Sequence, residues 1–329
     1  MTRLLSISLA LACLATPALA QQKLDAAKSE IVFVSKQMGV PVEGRFKKFD
    51  ANVVFDPAKP EDALKIERKT NCSTADGKTA VYWWRGKVFS RVPGEKDRHL
   101  FNVQGFNLRT CNSYNDPQRG PGYRSVSREM LIYFDAATNK VLRTWKNPWT
   151  SEEVEVLHVA NDPVSMREPT FARDQNGKPA RTGTGGYEKT GTVLSGGSAA
   201  RLFYKNPLGG EYQENIGGWY HAMEFMTSAT PESDLLDANA GEVKDRVISW
   251  VRVSKWLPWM RMGDRAGVVI FHTAGMRLNS WDEMPEEVKA EVRQNWPTFQ
   301  TAPPPDDARP SMTSWDQFKR WQEDKKKKP

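Results

Sequence analysis

Between residues 80 and 134 the chain alternates apolar and polar side chains with a period of two. Residues 80–92 (AVYWWRGKVFSRV), 100–111 (LFNVQGFNLRTC) and 123–134 (YRSVSREMLIYF) are rich in aromatic and β-branched residues, and Gly, Pro, Asn and Asp collect between them. That is the composition of strands and of the turns that join them. Phe134 leads through DAATNK into VLRTW, which predicts a hairpin. Further strands are expected at 153–160, 201–204, 218–226, 246–254 and 267–273. A helical period emerges only near the end. In 285–296 (PEEVKAEVRQNW) a proline opens the segment, acids fill its first turn, and Val288 and Val292 recur four positions apart. A second helix is expected from Ser314, with Gln317 as its capping-box partner, through Phe318 and Trp321. The stiff stretch TAPPPDDARP separates the two. So many strands with so few helices between them argue against βαβ units. The chain reads as mainly β: an antiparallel barrel, sandwich or barrel-like sheet, with one or two C-terminal helices closing one end or packing outside.

The first twenty residues stand apart from this pattern. Arg3 precedes an apolar run over 4–15, and ATPALA ends at Ala20, the form of a cleaved secretory signal peptide. Gln21 follows, so no lipid-anchoring cysteine is expected at the cut. No later run approaches the roughly 18 consecutive apolar residues of a spanning helix. The expected product is a periplasmic or secreted protein that does not span the membrane.

Composition adds that the chain is globular: 39% of its 329 residues are hydrophobic and 26% are charged. The net charge of +7 suggests nucleic acid until its distribution is followed. Without residues 1–20 the count is 46 basic against 40 acidic, and Lys325, Lys326, Lys327 and Lys328 supply four of the basic residues. The body is close to neutral, and no aromatic–basic stacking pattern is present, so a nucleic-acid partner is not expected. The lysine tail reads as a solvated, disordered terminus, or as a weak contact with anionic surfaces.

Candidate chemistry is sparse. Cys72 and Cys111 remain once Cys13 leaves with the signal peptide; in an oxidising compartment they either form a disulfide or stay as two buried thiols. The glycine-rich segment 183–197 lacks the lysine of a phosphate loop and reads as a long loop. His158, His221 and His272 each share strand parity with apolar neighbours. If those faces line one interior, the three would form a metal site, or one would act as general base beside Glu129 or Glu224; otherwise each is a core histidine with a satisfied partner. Arg128 points opposite to Ser127 and Glu129; buried, it needs a carboxylate or a ligand anion. Trp219, Met223, Trp250, Trp256 and Trp259 would line a hydrophobic ligand pocket or fill a core.

Two resemblances sharpen this picture. The segment 29–60 (SEIVFVSKQMGVPVEGRFKKFDANVVFDPAKP) resembles the opening strands of the YceI-like family. That resemblance implies a lipocalin-like or calycin-like barrel and a polyisoprenoid or other lipophilic ligand. Residues from about 63 to 303 carry YWWRGKVFSRVPGEKDRHLF, GYRSVSREMLIYFD, LRTWKNPW, VLHVANDPV and SKWLPWMRMGDRAG, and resemble a bacterial family known only as a domain of unknown function, DUF1838. It implies an exported, β-rich protein and assigns no catalytic residues. The chain is therefore expected to divide into a signal peptide (1–20), YceI-like strands joined to the main sheet (21–62), a main β domain (63–303) and a proline-rich linker, helix and lysine tail (304–329). The favoured function is binding of a lipophilic small molecule, lipid or isoprenoid-like, in a β-barrel pocket. The alternative is a histidine-dependent, metal-assisted or metal-free enzyme acting on a hydrophobic substrate. No cofactor is assigned.

Overall fold

The computed structural model describes residues 54–165, 168–180, 187–190 and 192–327. The signal peptide and most of the YceI-like segment lie outside the described residues. Among the described residues there are twelve strands. The first three, β1 (Ala80–Arg91), β2 (Arg98–Asp116) and β3 (Gly120–Asp135), form an antiparallel meander. A small hairpin follows, β4 (Thr144–Lys146) with β5 (Glu153–Glu155), and then β6 (Val159–Ser165) and β7 (Thr170–Phe171), both of which pair with β3. The chain continues through β8 (Glu188–Thr190), β9 (Val193–Lys205), β10 (Trp219–Pro231), β11 (Val247–Ser254) and β12 (Val268–Leu278). All but β4 and β5 belong to one antiparallel sheet of ten strands, nine of them in the order β6-β3-β2-β1-β12-β11-β10-β9-β8 and the tenth, β7, beside β3 off that path.

The sheet is not closed into a barrel. Among the described residues its edge strands β6 and β8 do not pair with each other. A helix, α5 (Ser314–Lys327), bridges the opening instead. On one side Gln317 accepts from the backbone N–H of Ala160 at 3.1 Å and donates to the carbonyl of His158 at 2.8 Å. On the other side the indole N–H of Trp315 donates to Tyr204 Oη on β9 at 3.1 Å. Gln317 is thus a clamp and not a cap: Thr313 caps the helix, with its hydroxyl and the Asp316 carboxylate exchanging bonds with each other's backbone N–H. The lysine tail is not a free terminus up to Lys327. It continues the helix, and Lys325 pairs with Glu155 at 2.7 Å while lying over the Trp321 ring.

Two cores lie on opposite faces of the sheet. On the outer face Val81, Trp83, Phe106, Ile132 and Met276 pack beneath Val288 and Val292 of α4 (Glu286–Asn295). On the inner face Val103, Leu131, Tyr133 and Phe271 meet Trp256, Trp259, Met260 and Phe318. Two short helices, α2 (Gln213–Ile216) and α3 (Glu232–Leu236), flank β10. A longer one, α1 (Pro60–Asn71), escapes the period-two reading although it opens on Pro-Glu-Asp, the same kind of start as α4. Its end is fastened three ways. Cys72 forms a disulfide with Cys111 of β2. Arg277 donates to the carbonyls of Lys69 and Cys72. The buried Lys69 ammonium donates to the carbonyls of Asp234, Leu235 and Asp237 at the end of α3. The first described residues join here too: Val54 bridges Asp237, and the N–H of Phe55 donates to the carbonyl of Leu236. The glycine-rich segment partly enters the sheet, with β8 pairing the start of β9; residues 181–186 and 191 lie outside the described set.

Candidate ligand-binding site

The inner face of the sheet, the segment 254–259 and the start of α5 enclose a cavity of about 510 Å³. Pairing register sets its wall. Tyr82, Asn107 and Glu129 stand side by side on β1, β2 and β3, and Trp84, Gly105 and Leu131 form the next row. Gly105 is required by that row, because a Cβ there would lie 2.5 Å from the Trp84 indole; its absence lets the ring extend over β2. The other wall comes from Tyr220, Glu224 and Met226 of β10 and Ile248, Trp250 and Arg252 of β11. Glu224 and Arg252 are direct cross-strand partners and form an ion pair at 3.2 Å. Arg252 also donates to the hydroxyl of Tyr220. Trp84 meets Trp250 edge to face at 6.5 Å, and Trp315 stands edge-on to Tyr220 at 4.7 Å.

Charge is concentrated in one part of this apolar chamber. Arg109 donates through Nε to Asn107 and through Nη1 to Asn71, both neutral amides. Among the described residues it has no carboxylate within ion-pair distance. Burial pushes the Glu129 carboxyl above the usual range, Glu224 pushes it further, and Arg109 and Arg252 pull partly back. Burial likewise raises the Tyr133 and Tyr220 phenols. Two donors facing this space have no acceptor among the described residues: the indole N–H of Trp84 and Nε of Arg252. Chemically the chamber presents aromatic walls, the three guanidiniums of Arg109, Arg246 and Arg252, the Lys255 ammonium, two carboxyls and several phenols. It is fitted to hold an apolar body whose polar end accepts hydrogen bonds.

The structure gathers only some of the residues singled out from sequence. Glu129, Glu224, Trp250, Trp256 and Trp259 line the chamber. Trp219 and Met223 do not: they lie on the outer face, 47% and 40% exposed. Arg128 also faces outward, where Asp162 pairs with its Nε at 3.0 Å and the carbonyls of Thr298 and Thr301 accept from Nη1. The three histidines do not converge. His221 and His272 are exposed on the outer face, because the apolar neighbours whose parity they share are themselves outer-face residues. His158 is buried before β6, stacked on Tyr133, and its Nδ1 accepts from the Tyr133 backbone N–H at 3.1 Å. Burial, aided by Arg143, lowers its pKa to about 3, so it stays neutral. Among the described residues no group of three or more His, Cys, Asp or Glu is arranged to hold a metal ion, and no helix is long and apolar enough to cross a membrane.

Sequence reasoning missed Arg109, Arg252, Trp84, Tyr82 and Tyr220. A signal for two of them was available. Arg252 shares parity with Ile248 and Trp250, and Arg109 with Asn107, so each is a charge on the same face as residues that later prove to line a pocket.

Comparison with curated proteins finds no match to the chain. The family model described as a protein of unknown function, DUF1838, matches residues 77–322, a span that takes in every strand and all but the end of α5. The chain belongs to that family.

Proposed function

We propose that this protein binds a lipophilic small molecule in the chamber between the inner face of the sheet and α5, acting as a carrier or receptor in a lipocalin-like manner, in the periplasm or outside the cell. The observation that carries the reading is the chamber itself: about 510 Å³ walled by Trp84, Leu131, Trp250 and Phe271, with a few convergent polar groups. Its size falls within the range of small-molecule sites, and its lining has their usual chemistry. The export reading rests on residues 1–20, and the disulfide between Cys72 and Cys111 suits an oxidising compartment.

The test is titration with N-phenyl-1-naphthylamine, a neutral lipophilic dye. We expect a saturable fluorescence gain at one site per chain. Leu131→Trp, which fills the chamber from its wall, should weaken that binding at least about tenfold. Dye binding that never saturates, or that ignores Leu131→Trp in a folded variant, would overturn the reading. For export, N-terminal sequencing of protein from the periplasmic fraction should begin at Gln21.

A second reading has one specific observation behind it. Glu129, held toward its protonated form, is electrostatically coupled to Glu224 across the chamber, as a proton donor and acceptor acting on a bound molecule would be. It replaces the histidine-dependent version, since His221 and His272 lie outside the chamber. Chemical conversion of a bound ligand that stops in Glu129→Gln would favour it over carriage.

A further inference from the structure

The polar groups of the chamber are not balanced among themselves, and the imbalance has a sign. Arg252 spends Nη1 on Glu224 and Nη2 on Tyr220, which fixes its plane and leaves Nε without an acceptor among the described residues. The indole N–H of Trp84 is in the same condition, and its ring is held in place over Gly105. Buried donors are ordinarily paired, so two orphans lining one cavity call for an acceptor that the described residues do not supply. Arg109 adds a cation whose neighbours Asn107 and Asn71 satisfy hydrogen bonds without neutralising charge. Set against these two guanidiniums is one ion-paired carboxylate, Glu224; of the other cations lining the chamber, Arg246 donates to the hydroxyls of Tyr187, Thr230 and Ser228, and Lys255 is paired with Asp264. Glu129, the remaining carboxyl, has no hydrogen-bond or ion-pair partner described and is favoured in its neutral form by burial and by Glu224. With Glu129 protonated, the cluster carries one excess positive charge and four unspent or partly spent donors. A single anionic group with two acceptor oxygens complements that set; a cationic head would meet two guanidiniums, and a plain hydrocarbon would leave every donor unpaired.

We propose that the ligand is a monocarboxylic acid with an aromatic or other apolar body, its carboxylate received by Trp84, Arg252 and Arg109 and hydrogen-bonded to the Glu129 carboxyl. This rests on the chamber being a ligand site and names the class of ligand it takes. The apolar body lies against Trp250, Leu131 and Phe271. Binding needs Glu129 to carry its proton, so the groups that face it set the pH response: Arg109 from β2, Arg252 from β11 and Glu224 from β10.

The experiment uses three probes of one body and different heads: 1-naphthylacetic acid, 1-naphthaleneethanol and 1-naphthylmethylamine, each titrated by calorimetry into the full mature chain. We expect the acid to bind at least about tenfold more tightly than the alcohol, and the amine more weakly than either. Arg109→Met should remove the advantage of the acid while leaving the affinity for the alcohol within about twofold, so the alcohol reports that the chamber is still formed. Raising the pH should weaken the acid in the wild type, as Glu129 ionises beside it. Glu129→Gln keeps a neutral donor, and should hold affinity for the acid while flattening that pH dependence. An alcohol that binds as tightly as the acid, or an amine that binds best, overturns the proposal and leaves the chamber's role as a lipophilic site intact. Failure of all three probes together with the neutral dye overturns both.

Discussion

The two halves of the sheet treat their outer faces differently. Where β12, β1, β2 and β3 pass beneath α4 the outer face is sealed: Trp83 and Phe106 are fully buried there, and the inner face of the same strands carries Tyr82, Asn107 and Glu129. Across β9 and β10 the outer face is bare, with Phe203 73% exposed and stacked on Trp219, and Met223 and Phe225 beside them. The inner face of that half holds Glu224, and Arg252 follows on β11. Thus one half buries apolar residues on both faces, and the other turns apolar residues outward and charge inward. The difference teaches that the chamber is built between a stiff wall and a thinner one. The usual assumption that the apolar parity of a strand faces the core fails in the thinner wall.

The largest effect should come from the sealed half. Trp83→Ala deletes a fully buried indole from the outer cluster, along with its hydrogen bond to Gln104, and should lower the unfolding free energy by up to about 5 kcal/mol. Equilibrium urea denaturation measures it; a loss below about 1 kcal/mol would mean that this half is not the stiffer one. Removing the disulfide by Cys72→Ser with Cys111→Ser opens a cross-link between residues 39 apart in the same half. In the chain-entropy model that costs about 4 kcal/mol. A double variant with an unchanged urea midpoint would show that the other two fastenings of α1, Arg277 and Lys69, suffice alone.

How much of this was legible in the sequence follows the same division. The strands were readable from aromatic and β-branched runs between turn residues, and α4 from its opening proline and its valines. The inward direction was not. In 80–134 the alternation does not tell inside from outside, because both faces are covered: in β2 a run from Val103 to Leu108 is buried without interruption. In β10 the alternation is clear, yet Trp219, His221, Met223 and Phe225 mark the outside. Reading that parity as interior placed His221 and His272 together in a chamber neither enters. Whether the sheet closes was beyond local pattern altogether, because it depends on whether the edge strands β6 and β8 meet and on Gln317, a residue whose sequence context suggested a cap. Glu129 and Glu224 were singled out as carboxylates beside a histidine base, whereas the arginines they face in the chamber are scattered over β2 and β11, and only the register brings them to one space.

The seam between the halves offers an intermediate effect with a pH signature. His158 accepts the Tyr133 N–H and passes its own carbonyl to Gln317 of α5. Its pKa is about 3 in the folded protein against an ordinary 6.5. Between those values the unfolded chain binds a proton that the native state refuses, so stability falls as the pH drops, by about 1.4 kcal/mol per unit at the steepest. His158→Asn keeps an acceptor for the N–H and does not titrate. Relative to the wild type it should gain about 2 kcal/mol on going from pH 7 to pH 5, read from urea unfolding at both. Parallel losses in the two proteins would remove His158 from the acid sensitivity of the seam.

The smallest effect is the one on which the comparison finally rests. Phe203→Ser and Trp219→Ser remove the stacked pair from the bare outer face, where the rings contact each other and water more than any core. Offset or parallel ring pairs add about 0.5–1.5 kcal/mol when buried, and exposure leaves less of that, so the double variant should lose no more than about 0.5 kcal/mol. It should also bind the neutral dye as the wild type does, since neither residue lines the chamber. Equal stability with higher solubility would confirm that β9 and β10 form a one-sided wall. A loss of several kcal/mol would show that this face is covered in solution, and the contrast between a sealed and a bare half would no longer hold.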